Sequence, residues 1–240
     1  MAHFYLASAL SDAGAELTGE EARHAAQVSR LRVGERIAVG DGRGRVADAE
    51  AVSVARDRVE LRVLALRQEP APTPRIVLVQ ALAKGGRDES AVQAATELGV
   101  AAVVPWQAAR SVTRWSGPKV DAGVARWATI VREAGKQSMR PWAAEVLALA
   151  STRDLEALAA TSTMLLLEPT ADTRLLDADL PADQDIVLVV GPEGGIAPEE
   201  LGRLTAAGAT PVRLGPLVLR TSTAGPAALA ALAAKLDLWQ

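Results

Sequence analysis

The sequence contains no cysteine. That excludes disulfides, thiolate nucleophiles and zinc–sulfur centres, and it fits a cytoplasmic protein. Histidine is nearly as scarce: the 2 residues, His3 and His24, are too few for a histidine-built metal site, so no metal is expected. No apolar run approaches the ~18 residues that a membrane-spanning helix needs, so no span is expected. The opening stretch MAHFYLASALSDAGAELTG lacks a basic segment and carries Asp12 and Glu16 early, so no signal peptide is expected either. Neither the phosphate-loop pattern G-x-x-x-x-G-K-[ST] nor the dinucleotide fingerprint G-x-G-x-x-G occurs.

What is present is a chain of 240 residues, 49% apolar, enough for one large domain or two smaller ones. Its net charge of −3 advertises no global field for nucleic acid, but the charges are unevenly spread. Residues 1–75 are neutral, 76–150 carry a net +3, and 151–240 a net −6. Between Arg110 and Trp142, seven basic residues (Arg110, Arg114, Lys119, Arg126, Arg132, Lys136 and Arg140) face only Asp121 and Glu133, with Trp115, Trp127 and Trp142 interleaved. Such a segment reads either as a polyanion-binding face or as a solvated helix with core tryptophans.

The stretch EPAPTP, Glu69 to Pro74, places three prolines in six residues and marks a domain boundary. Before it, short runs with period-two alternation (Ile37, Val39; Val52, Val54; Val59, Leu61, Val63) and the turn GDGRG predict a small β-barrel or curled sheet. One helix is expected over TGEEARHAAQVSRLR, with Thr18 as N-cap, Glu21 as its capping-box partner, and Val28 and Leu31 on one face. After the boundary, apolar strands (RIVLVQAL, VAAVVPW, TSTMLLLEP, QDIVLVV, TPVRLG) alternate with helices (DESAVQAATELG, KVDAGVARWATIVREAGKQS, APEELGRLTAAG and the Ala/Leu-rich tail). That rhythm predicts an α/β domain built on a mostly parallel sheet. Gly225-Pro226 is expected to disturb the first turn of the last helix.

In open α/β sheets, ligands sit beyond the carboxyl ends of strands. Three such ends are distinctive: LLLEPT (Leu165 to Thr170), GPEGG (Gly191 to Gly195) and LGPLVLRTSTA (Leu214 to Ala224). The glycines let backbone approach a ligand closely. Glu193 in the middle loop, and Leu214, Leu217, Val218 and Leu219 in the third, suit a purine with a hydroxylated sugar and a cationic or neutral tail better than a phosphate chain. Thr221, Ser222 or Thr223 is expected to cap the final helix.

GPEGG with its Pro-Glu-Glu helix start, followed some twenty residues later by LGPLVLRTSTA, resembles the SPOUT class of RNA methyltransferases. Within that class the chain resembles the ribosomal RNA small-subunit methyltransferase E family. The likeness extends to HAAQVSRLRVGERIAVGDGRG, to QALAKGGRDESAVQAATELGVAAVVP with ARSV, and to REAGKQSMRPW, in family order. It departs at Ser222, where the family usually carries an acidic residue, and at Gly225-Pro226, where the family's helix is usually uninterrupted.

The resemblance implies a PUA-like β-barrel RNA-binding domain over residues 1–70 and a trefoil-knotted SPOUT domain over 75–240. It implies S-adenosyl-L-methionine as cofactor, N3 of a uridine in small-subunit ribosomal RNA as target, and a cytoplasmic homodimer acting on that RNA or on the ribosomal subunit. The cofactor residues expected are Leu167, Glu168, Pro169, Gly191, Gly194, Gly195, Ile196, Leu214, Gly215, Leu217, Leu219 and Thr221. Arg220 is expected to face the target base and stabilise charge on its carbonyl oxygens; Glu193 is expected to accept the N3 proton or to tie down its loop. RNA contacts are expected from His24, Arg30, Arg32, Lys84, Arg87, Arg110, Arg132, Lys136 and Arg140. Glu97 is expected to tie its helix to a loop, and Gln80 to be structural. Two alternatives stay open: another target atom within the same class, and a non-enzymatic ribosomal RNA-binding factor.

Overall fold

The computed structural model describes residues 4–181 and 184–239. They form two units. The first holds the described residues through Ala71 together with Gly135–Ala143; the second runs from Pro72 to Ala134 and onward from Ala144.

In the first unit, β1 (Phe4–Leu6), β2 (Ala9–Leu10), β3 (Gly14–Thr18), β4 (Arg36–Gly40), β5 (Arg45–Val54) and β6 (Arg58–Gln68) make one sheet in the order β1-β4-β5-β6-β3-β2. Only β1 and β4 pair in parallel. The alternation read from the sequence is visible in β6, where Val59 and Leu61 are buried between exposed neighbours. Two register shifts in β5, at Asp48/Ala49 and Ala51/Ser53, let the long strand bend so that the sheet curls around Tyr5, Leu17, Val39 and Val59. The glycine turn has a packing reason as well: at Gly44, φ is +94°, and a Cβ there would lie 2.7 Å from the Trp142 ring.

Thr18 occupies the N-cap of α1 (Gly19–Arg23), but its side chain makes no capping bond. The expected capping box is absent because Glu21 turns elsewhere: its carboxylate accepts from the Leu6 amide at 3.3 Å and from Lys136 Nζ at 2.8 Å. The predicted helix also changes type, continuing as one π turn over His24–Val28. The wider turn shifts the 3.6-residue register, so Val28 points outward at 69% exposure while Leu31 is buried.

The second unit carries β7 (Ile76–Ala81), α2 (Arg87–Glu97), β8 (Ala102–Trp106), α3 (Pro118–Gln137, whose last turn enters the first unit), β9 (Glu145–Val146), α4 (Thr152–Ala159), β10 (Thr163–Leu167), β11 (Ile186–Val190), α5 (Pro198–Ala206), β12 (Thr210–Val212) and α6 (Thr221–Lys235). The sheet order is β12-β10-β11-β7-β8-β9 and every pairing is parallel. β7 and β11 are buried at every residue, as strands covered on both faces must be. Leu78, Leu165 and Leu188 pack with Val92, Trp127, Leu229 and Leu232 of α2, α3 and α6. Val79, Leu166 and Val189, on the opposite face, pack with Leu155 and Leu204 of α4 and α5.

Gly225-Pro226 does not interrupt α6, contrary to expectation; the helix is continuous from Thr221 to Lys235. Packing overrides local propensity here. A Cβ on Gly225 would sit 3.0 Å from Leu78 Cδ1 and 3.3 Å from Val190 Cγ2, so the absent side chain brings the helix down onto β7 and β11. Two of the three tryptophans of the basic segment follow the core reading: Trp127 is buried, with Trp115 edge-on to it at 5.6 Å, whereas Trp142 is half-exposed.

Candidate active site

The three strand-end loops meet in one pocket of about 420 Å³. Leu167, Glu168 and Pro169 come from the end of β10, Gly191, Glu193, Gly195 and Ile196 from the end of β11, and Leu214, Gly215, Leu217, Leu219, Arg220 and Thr221 from the β12–α6 loop. Arg87, from the start of α2, lines it too. Of the expected cofactor residues, Gly194 alone is not in the lining; its carbonyl instead accepts from Arg110 Nη1 at 2.9 Å.

The glycine loop is held from three sides. Lys84 N–H and Arg87 Nη1 donate to Glu193 Oε1 at 3.2 and 2.9 Å. Burial pushes the Glu193 carboxyl up, but hydrogen bonds from its own amide, Lys84 and Arg87, with the Arg87 charge, outweigh it and hold the carboxyl below its ordinary value. At the start of α5 the Glu200 carboxylate accepts from Ala197 N–H at 3.4 Å. The same carboxylate accepts from Ala109 N–H at 2.9 Å and from the Thr152 hydroxyl at 2.6 Å, and Thr152 in turn accepts from Trp106 Nε1 at 3.3 Å. Glu200 is thus a buried tie between loops, a role that its place in a helix's first turn did not reveal.

Thr221 does not cap α6. Arg220 is the N-cap and makes no side-chain capping bond. The Thr221 hydroxyl instead donates to the Gly191 carbonyl at 2.8 Å and accepts from Gln80 Nε2 at 2.9 Å. The Arg220 side chain is exposed at the pocket, and no hydrogen bond or ion pair holds its guanidinium among the described residues. Glu193, the acidic residue of the glycine loop, is taken by Arg87. Leu217 and Val218 beside it are 76% and 78% exposed.

The residues expected to touch RNA fall in both units. His24, Arg30 and Arg32 are exposed in the first unit, His24 with its ring 5.7 Å from Tyr5. In the second unit Lys84 is exposed, whereas Arg87 and Arg110 are engaged with the glycine loop. Arg132 is exposed and pairs with Glu133 at 3.3 Å. The structure corrects the reading of Lys136: its ammonium is buried in the ion pair with Glu21, the two side chains 10% and 12% exposed, which leaves it no room for a phosphate. Arg140 is half-buried, and burial lowers its pKa to about 10, still charged at neutral pH. Glu97 accepts from Gln93 one turn earlier in α2 rather than tying the helix to a loop.

The RNA methyltransferase domain family matches residues 69–233, and the RNA methyltransferase PUA domain family matches residues 17–64. The ribosomal RNA small subunit methyltransferase E of Mycobacterium bovis is 43% identical over 246 aligned positions, covering 100% of this chain and 94% of that protein. The chain belongs to the ribosomal RNA small subunit methyltransferase E family. The Bacillus subtilis member of the family is 32% identical over 92% of this chain and 90% of its own. The crystal structure of the Neisseria gonorrhoeae member, bound to S-adenosyl methionine, superposes with a TM-score of 0.87 at 30% identity, covering 100% of this chain and 98% of that one.

Proposed function

We propose that this member of the family transfers a methyl group from S-adenosyl-L-methionine to N3 of a uridine in small-subunit (16S) ribosomal RNA. The observation that carries the reading is an apolar, backbone-lined pocket at three strand ends with an unpaired cation, Arg220, at its wall.

The pocket's chemistry fits the cofactor. Its walls offer Ile196, Leu214, Leu217 and Leu219 to an adenine ring, and main chain around Gly191, Gly195 and Gly215 for close approach. Glu168 adds a carboxylate, one oxygen of which holds Thr170 N–H and hydroxyl at 3.2 and 2.9 Å, leaving the other for a sugar hydroxyl or a cation. When bound, the cofactor supplies a methyl group already made electrophilic by its sulfonium.

The chain's own residues must then align the base and stabilise charge growing on the uracil carbonyls. Alignment accounts for about 7–11 kcal/mol of such a barrier, and one well-placed donor for about 3–4. Arg220 is that donor: it lines the pocket, and among the described residues no carboxylate neutralises it. Glu193 holds the loop rather than taking the N3 proton, since a carboxylate with a depressed pKa and an arginine partner is a weak base; that proton leaves to solvent water as the N3–methyl bond forms and the cofactor's sulfur–methyl bond breaks. On the same reading, residues 1–70 bind RNA as a PUA-like domain and 75–240 carry the chemistry. The tail threads an earlier loop as a trefoil knot, and two copies pair in the cytoplasm, each completing the other's site. Leu217 and Val218, exposed at the pocket wall, support pairing, because apolar surface of that kind calls for a cover.

Incubating the protein with labelled cofactor and undermodified small ribosomal subunits, then mapping the methyl group by nuclease digestion and mass spectrometry, tests this. We expect 3-methyluridine. A ribose or purine methyl would move the target atom; no binding of the cofactor in a calorimetric titration would point to an assembly factor.

A further inference from the structure

We infer that Gln80 is a positioning residue for the cofactor pocket, acting through Thr221 to fix the start of the glycine loop; this rests on the methyltransferase reading above.

Gln80 stands near the end of β7, wholly buried, in a strand otherwise made of Ile, Val, Leu and Ala. Its amide nitrogen donates to the Ala81 carbonyl at 3.2 Å and to Thr221 Oγ1 at 2.9 Å, while its amide oxygen meets no donor among the described residues. A buried acceptor left without a partner weakens a fold, and a leucine here would carry no such penalty. Strand packing alone therefore does not explain a glutamine at this position.

The direction of the hydrogen bonds does. The Ala81 carbonyl can only accept, so the nitrogen of the Gln80 amide must be the end that faces it. That same nitrogen faces Thr221 Oγ1, so Thr221 must accept from Gln80 and has its own proton left to give. The proton goes to the Gly191 carbonyl at 2.8 Å, another pure acceptor. Polarity thus runs one way, from Gln80 through Thr221 to Gly191. Gly191 and Thr221 both line the pocket, whereas Gln80 does not. Three elements, the ends of β7 and β11 and the first turn of α6, are tied by one buried amide. Replacing Gln80 by leucine leaves the Thr221 hydroxyl free to rotate. An ionised carboxylate at position 80 goes further: it can only accept, so it draws the Thr221 proton away and leaves the Gly191 carbonyl without a donor.

The test is calorimetric titration of S-adenosyl-L-methionine into the full-length protein and its variants, with thermal unfolding measured alongside. We expect Gln80→Leu to weaken cofactor binding about tenfold with no loss of melting temperature, and to add nothing in a Thr221→Val background. Unchanged affinity, or an equal loss in both backgrounds, overturns the inference. Gln80→Glu supplies a second reading. Burial raises a carboxyl's pKa, and the protonated acid can donate to Thr221 as the amide does. Binding by Gln80→Glu should therefore be near normal at roughly pH 5 and fall towards pH 9, while the unaltered protein changes far less. A Gln80→Glu profile parallel to the unaltered one overturns the inference. An unaltered protein that binds no cofactor at any pH overturns the methyltransferase reading instead.

Discussion

Arg87 Nη1 lies 2.9 Å from Glu193 Oε1, an ion pair that fastens the start of α2 to the middle of the glycine loop. The Glu193 carboxyl is held below its ordinary value, so the pair's contribution is complete above the ordinary carboxylate pKa and disappears as pH falls through the depressed one. Cofactor affinity should be flat from neutral pH down through the ordinary carboxylate range and decline only below it. Glu193→Gln keeps the shape, loses the charge and removes that acid limb. For a pair this near solvent the cost should be about 0.5–1 kcal/mol, or roughly two- to fivefold in affinity. Titrating cofactor across acidic pH with both proteins checks it; an acid limb that survives in Glu193→Gln would assign the limb to another group.

Arg220→Ala should separate chemistry from binding. The guanidinium makes no bond that shapes the pocket, so cofactor affinity and melting temperature should stay close to those of the unaltered protein. Turnover should fall by at least about 100-fold, the usual cost of losing a donor to a developing oxyanion. Single-turnover methylation of undermodified subunits, run beside a cofactor titration, measures both. Arg220→Lys should restore little, since an ammonium cannot reproduce the planar fork of donors.

Much of the second unit was legible because its signals are local. Apolar runs covered on both faces gave the strands, and the distinctive ends of three of them gave the pocket walls. What escaped was chosen by partners far away in sequence. Glu200 reads as a dipole-friendly residue at a helix start, yet its carboxylate reaches Ala109, 91 residues earlier. Arg87 reads as a phosphate contact, yet it binds Glu193, 106 residues later. Thr221 carries a capping residue's chemistry, but a buried amide 141 positions earlier redirects its hydroxyl. α4 was missed although its signal is local: Ser151 and Asp154 form a capping box at STRD, the N-cap and first turn of an eight-residue helix.

Gly225 offers a test of how closely α6 is packed. A methyl group there would meet Leu78 and Val190, both buried in the sheet beneath with no room to retreat. Helix propensity alone favours alanine over glycine by about 1 kcal/mol. Overpacking a closed core costs about 1–3 kcal/mol, so the clash should outweigh the propensity gain. Gly225→Ala should lower the urea midpoint, and a second substitution, Leu78→Val, should recover part of it by opening space. A midpoint raised by Gly225→Ala alone would mean that the helix lifts from the sheet without penalty.

Lys136 and Glu21 make the last prediction, because there a residue expected to bind RNA serves the fold. Both side chains are almost fully buried, and Glu21 also holds the Leu6 amide. Removing one partner from such a pair strands the other charge and costs about 3–5 kcal/mol, whereas replacing both with apolar groups costs far less. Lys136→Met should therefore be strongly destabilising in urea unfolding, with Lys136→Met/Glu21→Leu recovering a good part of the loss. The loss should barely change with salt, since buried charges are poorly screened. Arg132 is the contrast: it is exposed, and Arg132→Glu should leave stability nearly unchanged while lowering the salt dependence of RNA binding by about one counterion. A Lys136→Met protein as stable as the unaltered one, with weaker RNA binding, would return Lys136 to the RNA-binding face.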